Sequence, residues 1–291
     1  MGEVAGPGCK NIIPAKEGAT LAEIERSLIT RFRKPIWTNF VKAIKEFKLI
    51  EDGDKIAVAV SGGKDSILMA KLFQELHCHG NSNFELQFIV MDPGYHEDIR
   101  RLLISNCEKL NLPIYLFDSD IFKIVDEIAQ DYPCYMCAKM RRGALYSKAQ
   151  ELGCNKLALG HHFNDVIETT LLNLFYSGSF KTMLPKLKSK NFPGLELIRP
   201  LYYVEEKYIE KFTQDNGLWP LNCACMVAAE RIGNKRYEIK DLIQELKKTY
   251  KNVDKLIMSA TKNVNADCIL GWQKDGKKYS YLDFYDENNG E

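Results

Sequence analysis

The sequence lacks a charge excess. Its 40 basic side chains meet 39 acidic ones, for a formal net charge of +1 at pH 7. A uniformly cationic surface is therefore excluded, and any contact with nucleic acid must come from local clustering of basic residues. No apolar run reaches the length needed to cross a bilayer, which argues against a transmembrane helix and a membrane partner. The opening "MGEVAGPGCKNIIPAKEG" has no apolar h-region, so no secretory signal is expected. Gly6 also stands where a myristoylation signal needs Ser or Thr. Repeats and low-complexity tracts are lacking too.

What is present is a globular composition, 45% hydrophobic and 27% charged over 291 residues. That supports one sizeable core with small appendages. The nine cysteines are odd in number and nothing suggests export, so they read as cytosolic thiols with a subset in a metal or redox site. Cys9, Cys78, Cys107, Cys154 and Cys268 are isolated and read as packing or incidental residues.

Three regions are expected: a leader and helices over 1–50, an α/β core over 51–220, and a C-terminal helical region over 221–291. "TLAEIERSL" opens with Thr20 and places Glu23 three residues on, a capping-box spacing. "KIAVAV" (55–60), "ELQFIVMD" (85–92), "PIYLFD" (113–118), "KLALG" (156–160) and "LELIRPL" (195–201) read as strands alternating with helices. That pattern predicts an α/β fold, a parallel five-stranded sheet with helices on both faces. In such sheets ligands bind beyond the carboxyl ends of the strands, where "VSGGKDS", "MDPGY" and "GHHFND" should converge.

"VSGGKDS" is a phosphate loop without the spacer of a Walker A motif. Gly62 and Gly63 let backbone approach an anion, and a helix starting near Asp65 aims its free N–H groups at it. Ser61 and Ser66 add hydroxyls, Lys64 a charge, and Asp65 suits a divalent cation or a helix cap. The string resembles the PP-loop of the N-type ATP pyrophosphatases, which grips the β,γ-pyrophosphate while the enzyme cleaves between α and β. The resemblance implies adenylation of a substrate, with pyrophosphate as leaving group.

Cys134 and Cys137 have C-x-x-C spacing, and Cys223 and Cys225 a tighter C-x-C. Three thiolates would suit a [4Fe–4S] cluster with one open iron, and four would suit structural zinc; the residues alone leave both open. His161 and His162 read as loop hydrogen-bonding residues or ligands, and Asp165 as a helix cap or a magnesium contact.

Together, "VSGGKDS", "CYMCAKMRRG", "LGHHFNDVIETTLLNLFYSG", "LIRPLYYVEEKYI" and "NCAC…NKRYEIKDLI" resemble the TtcA-type tRNA 2-thiocytidine synthetases, a group within the PP-loop tRNA thiolases. The resemblance spans about residues 20–290. It implies ATP, Mg2+ and a [4Fe–4S] cluster as cofactors, and sulfur insertion into a tRNA base, expected to be a cytidine. Cys134 and Cys137 match the first two cluster ligands, and Cys223 or Cys225 the third. Gly160, Asp165 and Arg141 match nucleotide-site positions of related thiolases, and the adenine is expected near Val90 and Met91. Asn164 stands where the group commonly has an acidic residue, and the paired zinc ribbons of some thiolase branches are missing. Lys64, Arg141 and Asp165 are thus the candidate catalytic residues. A sulfur donor (cysteine desulfurase or free sulfide), a cytoplasmic location and a homodimer complete the expectation. The rival readings are a cluster-free PP-loop ligase or amidating enzyme and a zinc- or redox-regulated nucleotide-binding module.

Overall fold

A computed structural model describes residues 3–6, 9–12, 18–80, 82–119, 121, 133–221 and 235–285, with the backbone alone at 3–6, 9–12 and 133–138. The chain opens with a hairpin of β1 (Glu3–Gly6) and β2 (Cys9–Ile12), where a weakly structured leader was expected. α1 (Leu21–Ile29) begins at the capping box: the Glu23 amide donates to Thr20 Oγ1, and the Glu23 carboxylate accepts from the Thr20 amide at 2.8 Å. A π-helical turn over Arg33–Trp37 leads into α2 (Thr38–Glu46).

The central sheet comprises β3 (Lys55–Ala59), β4 (Glu85–Asp92), β5 (Ile114–Asp118), β6 (Lys156–Ala158), β7 (Lys186–Lys188) and β8 (Glu196–Ile198). It has six strands in the order β5-β4-β3-β6-β8-β7, not the expected five. Five strands are parallel, and β7 pairs antiparallel with β8 at the edge, Leu187 opposite Leu197. This extra strand lies in "PKLKSK", whose lysines suit a sheet edge, where charge discourages pairing with another chain.

Both faces are covered because each inner strand feeds two cores. Ile56, Val58 and Val60 point into the larger one, with α3 (Lys64–His79), α4 (Glu97–Lys109) and α6 (Phe163–Ser177). Ala57 and Ala59 point the other way, against Tyr146 and Ala149 of α5 (Pro133–Glu151). Small residues on that face let α5 pack close to the sheet. The chain crosses from β5 to β6 on the opposite side of β3, so the switch in strand order falls at β3, where the phosphate loop begins.

α7 (Glu206–Asp215), α8 (Lys235–Thr249) and α9 (Val253–Ala260) follow the sheet. Phe212 of α7 meets Phe32 edge-on at 5.4 Å, tying the N-terminal region to the helix that follows the sheet. Lys262 adds a polar clasp, donating to Glu46 at the end of α2 and to the Tyr203 hydroxyl. The C-terminal region is not purely helical, as it ends in a hairpin of β9 (Gly271–Lys274) and β10 (Lys277–Ser280).

Candidate active site

The loop after β3 closes on itself. Gly62 has φ +80°, a conformation glycine adopts without steric cost. Ser66 Oγ donates to the Gly63 carbonyl at 2.9 Å and accepts from the Ser61 amide at 3.1 Å, with Ser61 Oγ at 3.0 Å. Gly63 caps α3 without any side chain to occupy the first-turn amides. Those N–H groups, at the positive end of a 16-residue helix, form a cradle of a kind that suits an anion. The Leu221 amide donates to the Gly62 carbonyl at 2.8 Å, and Leu221 stands two residues before Cys223 in the chain.

The loop after β6 packs directly on this cradle. A Cβ on Gly160 would meet the Asp65 carbonyl carbon and the Ser66 amide nitrogen at 3.2 Å, a tight contact against backbone that glycine avoids. His162 is the N-cap of α6. Its Nδ1 accepts from the Asp165 amide at 3.4 Å, while the Asp165 carboxylate accepts from the His162 amide at 2.9 Å. Asp165 therefore completes a capping box instead of serving as the cap itself. Asp165 and Asp65 are pushed in opposite directions. Burial, outweighing the pull of His162 and Lys64, raises the Asp65 carboxyl above its ordinary value. For Asp165 burial is overcome by the charges of His162 and Arg236, which hold it low. Asp65 Oδ1 is buried without a hydrogen bond among the described residues, with Lys64 Nζ at 3.3 Å and His162 Nε2 at 3.7 Å. An oxygen so placed suits a hard divalent cation.

His161 is half-buried, and its buried Nδ1 lacks a hydrogen bond among the described residues. Burial, then the charge of Arg199, pushes its pKa down to about 4, so the imidazole is neutral near pH 7.

Several residues that the sequence reading assigned no role complete the site. Glu206 accepts from Lys64 Nζ at 3.1 Å and from Lys240 Nζ at 2.7 Å. Burial opposes ionisation of Glu206, but the Lys240 hydrogen bond and the Lys64 charge hold its carboxyl low. The Glu206 amide is fixed by Asn164 Oδ1 at 3.0 Å, so Asn164 acts as a helix cap here. Arg236 bridges Asp165 at 3.6 Å and Glu168 at 3.1 Å. The strings "VEEKYI" and "NKRYEIKDLI" carry these residues, but no local spacing marks Glu206, Arg236 and Lys240 as site groups.

Beside the loop lies a cavity of about 70 Å³ lined by Ala59, Val60, Ser61, Met91, Arg141 and Leu145. Arg141 Nη2 donates to the Tyr95 hydroxyl at 2.9 Å, which ties α5 to the turn after β4. Asp92 shapes that turn by accepting from the Gly94 and Tyr95 amides at 2.9 and 2.7 Å. Met91 thus stands next to Ser61 and Arg141, whereas Val90 is buried in the main core and does not line the cavity. Cys134 and Cys137 occupy the first turns of α5, but their side chains lie outside the described residues, as do Cys223 and Cys225 entirely. Among the isolated cysteines, Cys107 and Cys154 are buried and Cys78 and Cys268 are exposed. Burial pushes the Cys107 thiol up to about 12, which makes it inert.

A loop of S-G-G-K-D-S at the switch point of a doubly covered sheet, backed by a Gly160-Asp165 loop, defines a nucleotide-binding α/β domain of the pyrophosphate-loop class. The PP-loop domain family matches residues 35–219. The chain is 37% identical over 253 residues to the tRNA-cytidine(32) 2-sulfurtransferase of Citrifermentans bemidjiense, covering 86% of this chain and 96% of that one. It is 36% identical over 267 residues to the same-named protein of Pelobacter propionicus, covering 90% of this chain and 97% of that one. In fold it is similar to the U34-tRNA thiolase NcsA of Methanococcus maripaludis, a structure with a [4Fe-4S] cluster, at TM-score 0.61 and 22% identity over 81% of this chain and 82% of that one. The chain belongs to the PP-loop family and, within it, to the group of the tRNA-cytidine 2-sulfurtransferases.

Proposed function

We infer that the chain is an ATP-dependent tRNA sulfurtransferase that replaces the C2 oxygen of a tRNA cytidine by sulfur. The observation that carries this is the self-closed Ser61–Ser66 cradle, with its open helix amides, in a chain spanning 96% of a tRNA-cytidine(32) 2-sulfurtransferase. Residues 61–66 hold the β,γ-pyrophosphate, and the adenine lies on the Met91 side of the loop. The C2 oxygen attacks the α-phosphorus; the O–P bond forms, the α–β bridge breaks and pyrophosphate leaves. Sulfide then attacks C2, the C–O bond breaks, and AMP departs with the original oxygen. Lys64 and Arg141 offset charge on the phosphates, Asp165 orients the substrate side, and Gly160 brings its loop against the cradle.

Asp65, whose Oδ1 makes no hydrogen bond among the described residues and has Lys64 Nζ as its ion-pair neighbour at 3.3 Å, fits a magnesium ion, which would screen the pyrophosphate charge when bound. Thiol chemistry fits a [4Fe–4S] cluster held by Cys134 and Cys137, placed on one helix start, with Cys223 or Cys225, reached through the loop-bound Leu221. When bound, the cluster would supply sulfur carriage to the activated base. The division of labour follows the chain: residues 51–220 bind ATP, while residues 1–50 and 221–291 support the core and add the third thiolate. A cysteine desulfurase or free sulfide supplies the sulfur, and the enzyme works in the cytoplasm as a homodimer. Among the described residues no helix is long and apolar enough to cross a membrane. The cluster-free ligase reading is not favoured, since the full-length relatives are sulfurtransferases.

Anaerobic reconstitution tests this reading. It should give a broad visible absorbance and about four irons per chain; a colourless chain carrying one zinc would overturn the cluster. Nucleoside mass spectrometry of tRNA from a deletion strain should show loss of 2-thiocytidine, and its persistence would overturn the activity.

A further inference from the structure

The C-terminal hairpin has no role in the chemistry above, yet its composition is unusual for a structural turn. β9 and β10 are joined by Asp275 and Gly276, both at positive φ (+52° and +78°), a tight turn whose twist matches the strands. The register sets Trp272 opposite Tyr279 and Lys274 opposite Lys277. Residues two apart on a strand share a face, so all four side chains project from one side. The Trp272 and Tyr279 rings stack at 5.5 Å, and Phe284 stacks on Trp272 at 5.3 Å. This small aromatic platform holds the hairpin together.

Next to the platform, two ammonium groups confront each other across the strands. Like charges directly opposite destabilise an antiparallel pair, and a two-stranded hairpin has little stability to spare. Neither lysine, nor Lys278 beside them, forms an ion pair among the described residues, although Asp275 is adjacent in the chain. Tyr281, Leu282 and Tyr285 are exposed just beyond. Repelling cations held in register beside exposed rings complement an anionic polymer that also offers flat apolar groups.

We propose that this hairpin is an RNA-binding arm: Lys274 and Lys277 clamp the tRNA phosphate backbone from one face, and Tyr281 and Tyr285 offer stacking surfaces. The arm rests on the tRNA reading above. It explains how a chain of net charge +1 engages a polyanion.

The test uses the full chain and an unmodified tRNA transcript over a range of salt. The double variant Lys274→Thr, Lys277→Thr removes the repulsion and favours strand, so its thermal midpoint should rise. Its tRNA affinity should nevertheless fall several-fold, and the slope of log affinity against log salt should flatten by about 2, about 1 per lost phosphate contact. ATP binding should not change. The charge-keeping pair Lys274→Arg, Lys277→Arg should retain tRNA binding. Unchanged affinity and slope in the threonine variant, or loss of binding in the arginine variant, would overturn the arm while leaving the sulfurtransferase reading intact. Loss of retention on anionic vesicles, with tRNA binding unaltered, would assign the hairpin to lipid and overturn it likewise. A parent chain that binds no tRNA would overturn both.

Discussion

The Lys64 ammonium lies 3.1 Å from the Glu206 carboxylate, so the lysine of the phosphate loop is balanced by the first residue of a helix 142 positions further on. Lys240 reaches the same carboxylate from a third element. The site is thus built around one anion shared by two cations, held in place by Asn164.

Replacing that anion should separate stability from ligand affinity. Glu206→Gln leaves half-buried Lys240 without its carboxylate and Lys64 with Asp65 alone, which should cost about 1–2 kcal/mol in urea denaturation. The loop becomes more cationic at the same time, so calorimetry should show ATP binding several-fold more tightly. Unchanged ATP affinity would mean that Glu206 does not act on the phosphate site.

Gly160→Ala should injure the cradle. The added Cβ meets backbone of Asp65 and Ser66, which cannot swing away. Expected are a loss of about 1–3 kcal/mol in stability and, for about 1.4 kcal/mol of lost phosphate contact, a roughly tenfold rise in the Kd for ATP. Gly143→Ala in α5 is the matched control: nothing lies within 4 Å of its new Cβ, so stability should rise by about 0.5–1 kcal/mol.

His161 gives the fold an acid-sensitive element. Its folded pKa is about 4, below the ordinary value of 6.5. The unfolded chain therefore binds the proton more readily between those two values. The stabilisation is full above pH 6.5, is lost as pH falls toward 4, and amounts to up to about 3 kcal/mol. Arg199, Asp165, Arg236 and His162 set the local field. His161→Asn should flatten the stability profile in that window, read by denaturation at a series of pH values; a profile identical to the parent's would refute the assignment.

The cysteines allow a sharper test than a count of metal. Cys134→Ser should abolish thiolation while ATP still binds. Of Cys223→Ala and Cys225→Ala, one should bleach the reconstituted chain and the other should leave its visible absorbance in place. Bleaching by both, or by neither, would contradict a three-thiolate cluster.

The core strands were legible because buried parallel strands are continuous apolar runs, as in "KIAVA" and "ELQFIVMD". β7 was not, because three residues with a lysine at each end look like a basic loop; only pairing with β8 makes them a strand. The terminal hairpin did carry a signal, Asp-Gly between aromatic alternations in "GWQKDGKKY", which a helical reading of the region passed over. The phosphate loop and the Gly160–Asp165 element were visible because their chemistry is local. Glu206, Arg236 and Lys240 were not, since their meaning comes from partners on other elements. Of the expected pair Val90 and Met91, strand alternation sends Val90 into the main core and Met91 to the cavity beside the loop.

The clasp between Glu46 and Lys262 joins positions 216 apart in the chain. During synthesis the first helices emerge long before their fastening does. Until residue 262 has left the ribosome, Glu46 at the end of α2 has only the Tyr203 hydroxyl of this clasp, and Phe32 waits for Phe212. Contacts of such long range form late and slowly. The N-terminal helices can dock early on α3 through Phe40 and Phe73, while the corner where Glu46, Tyr203 and Lys262 meet is fastened only after residue 262 emerges.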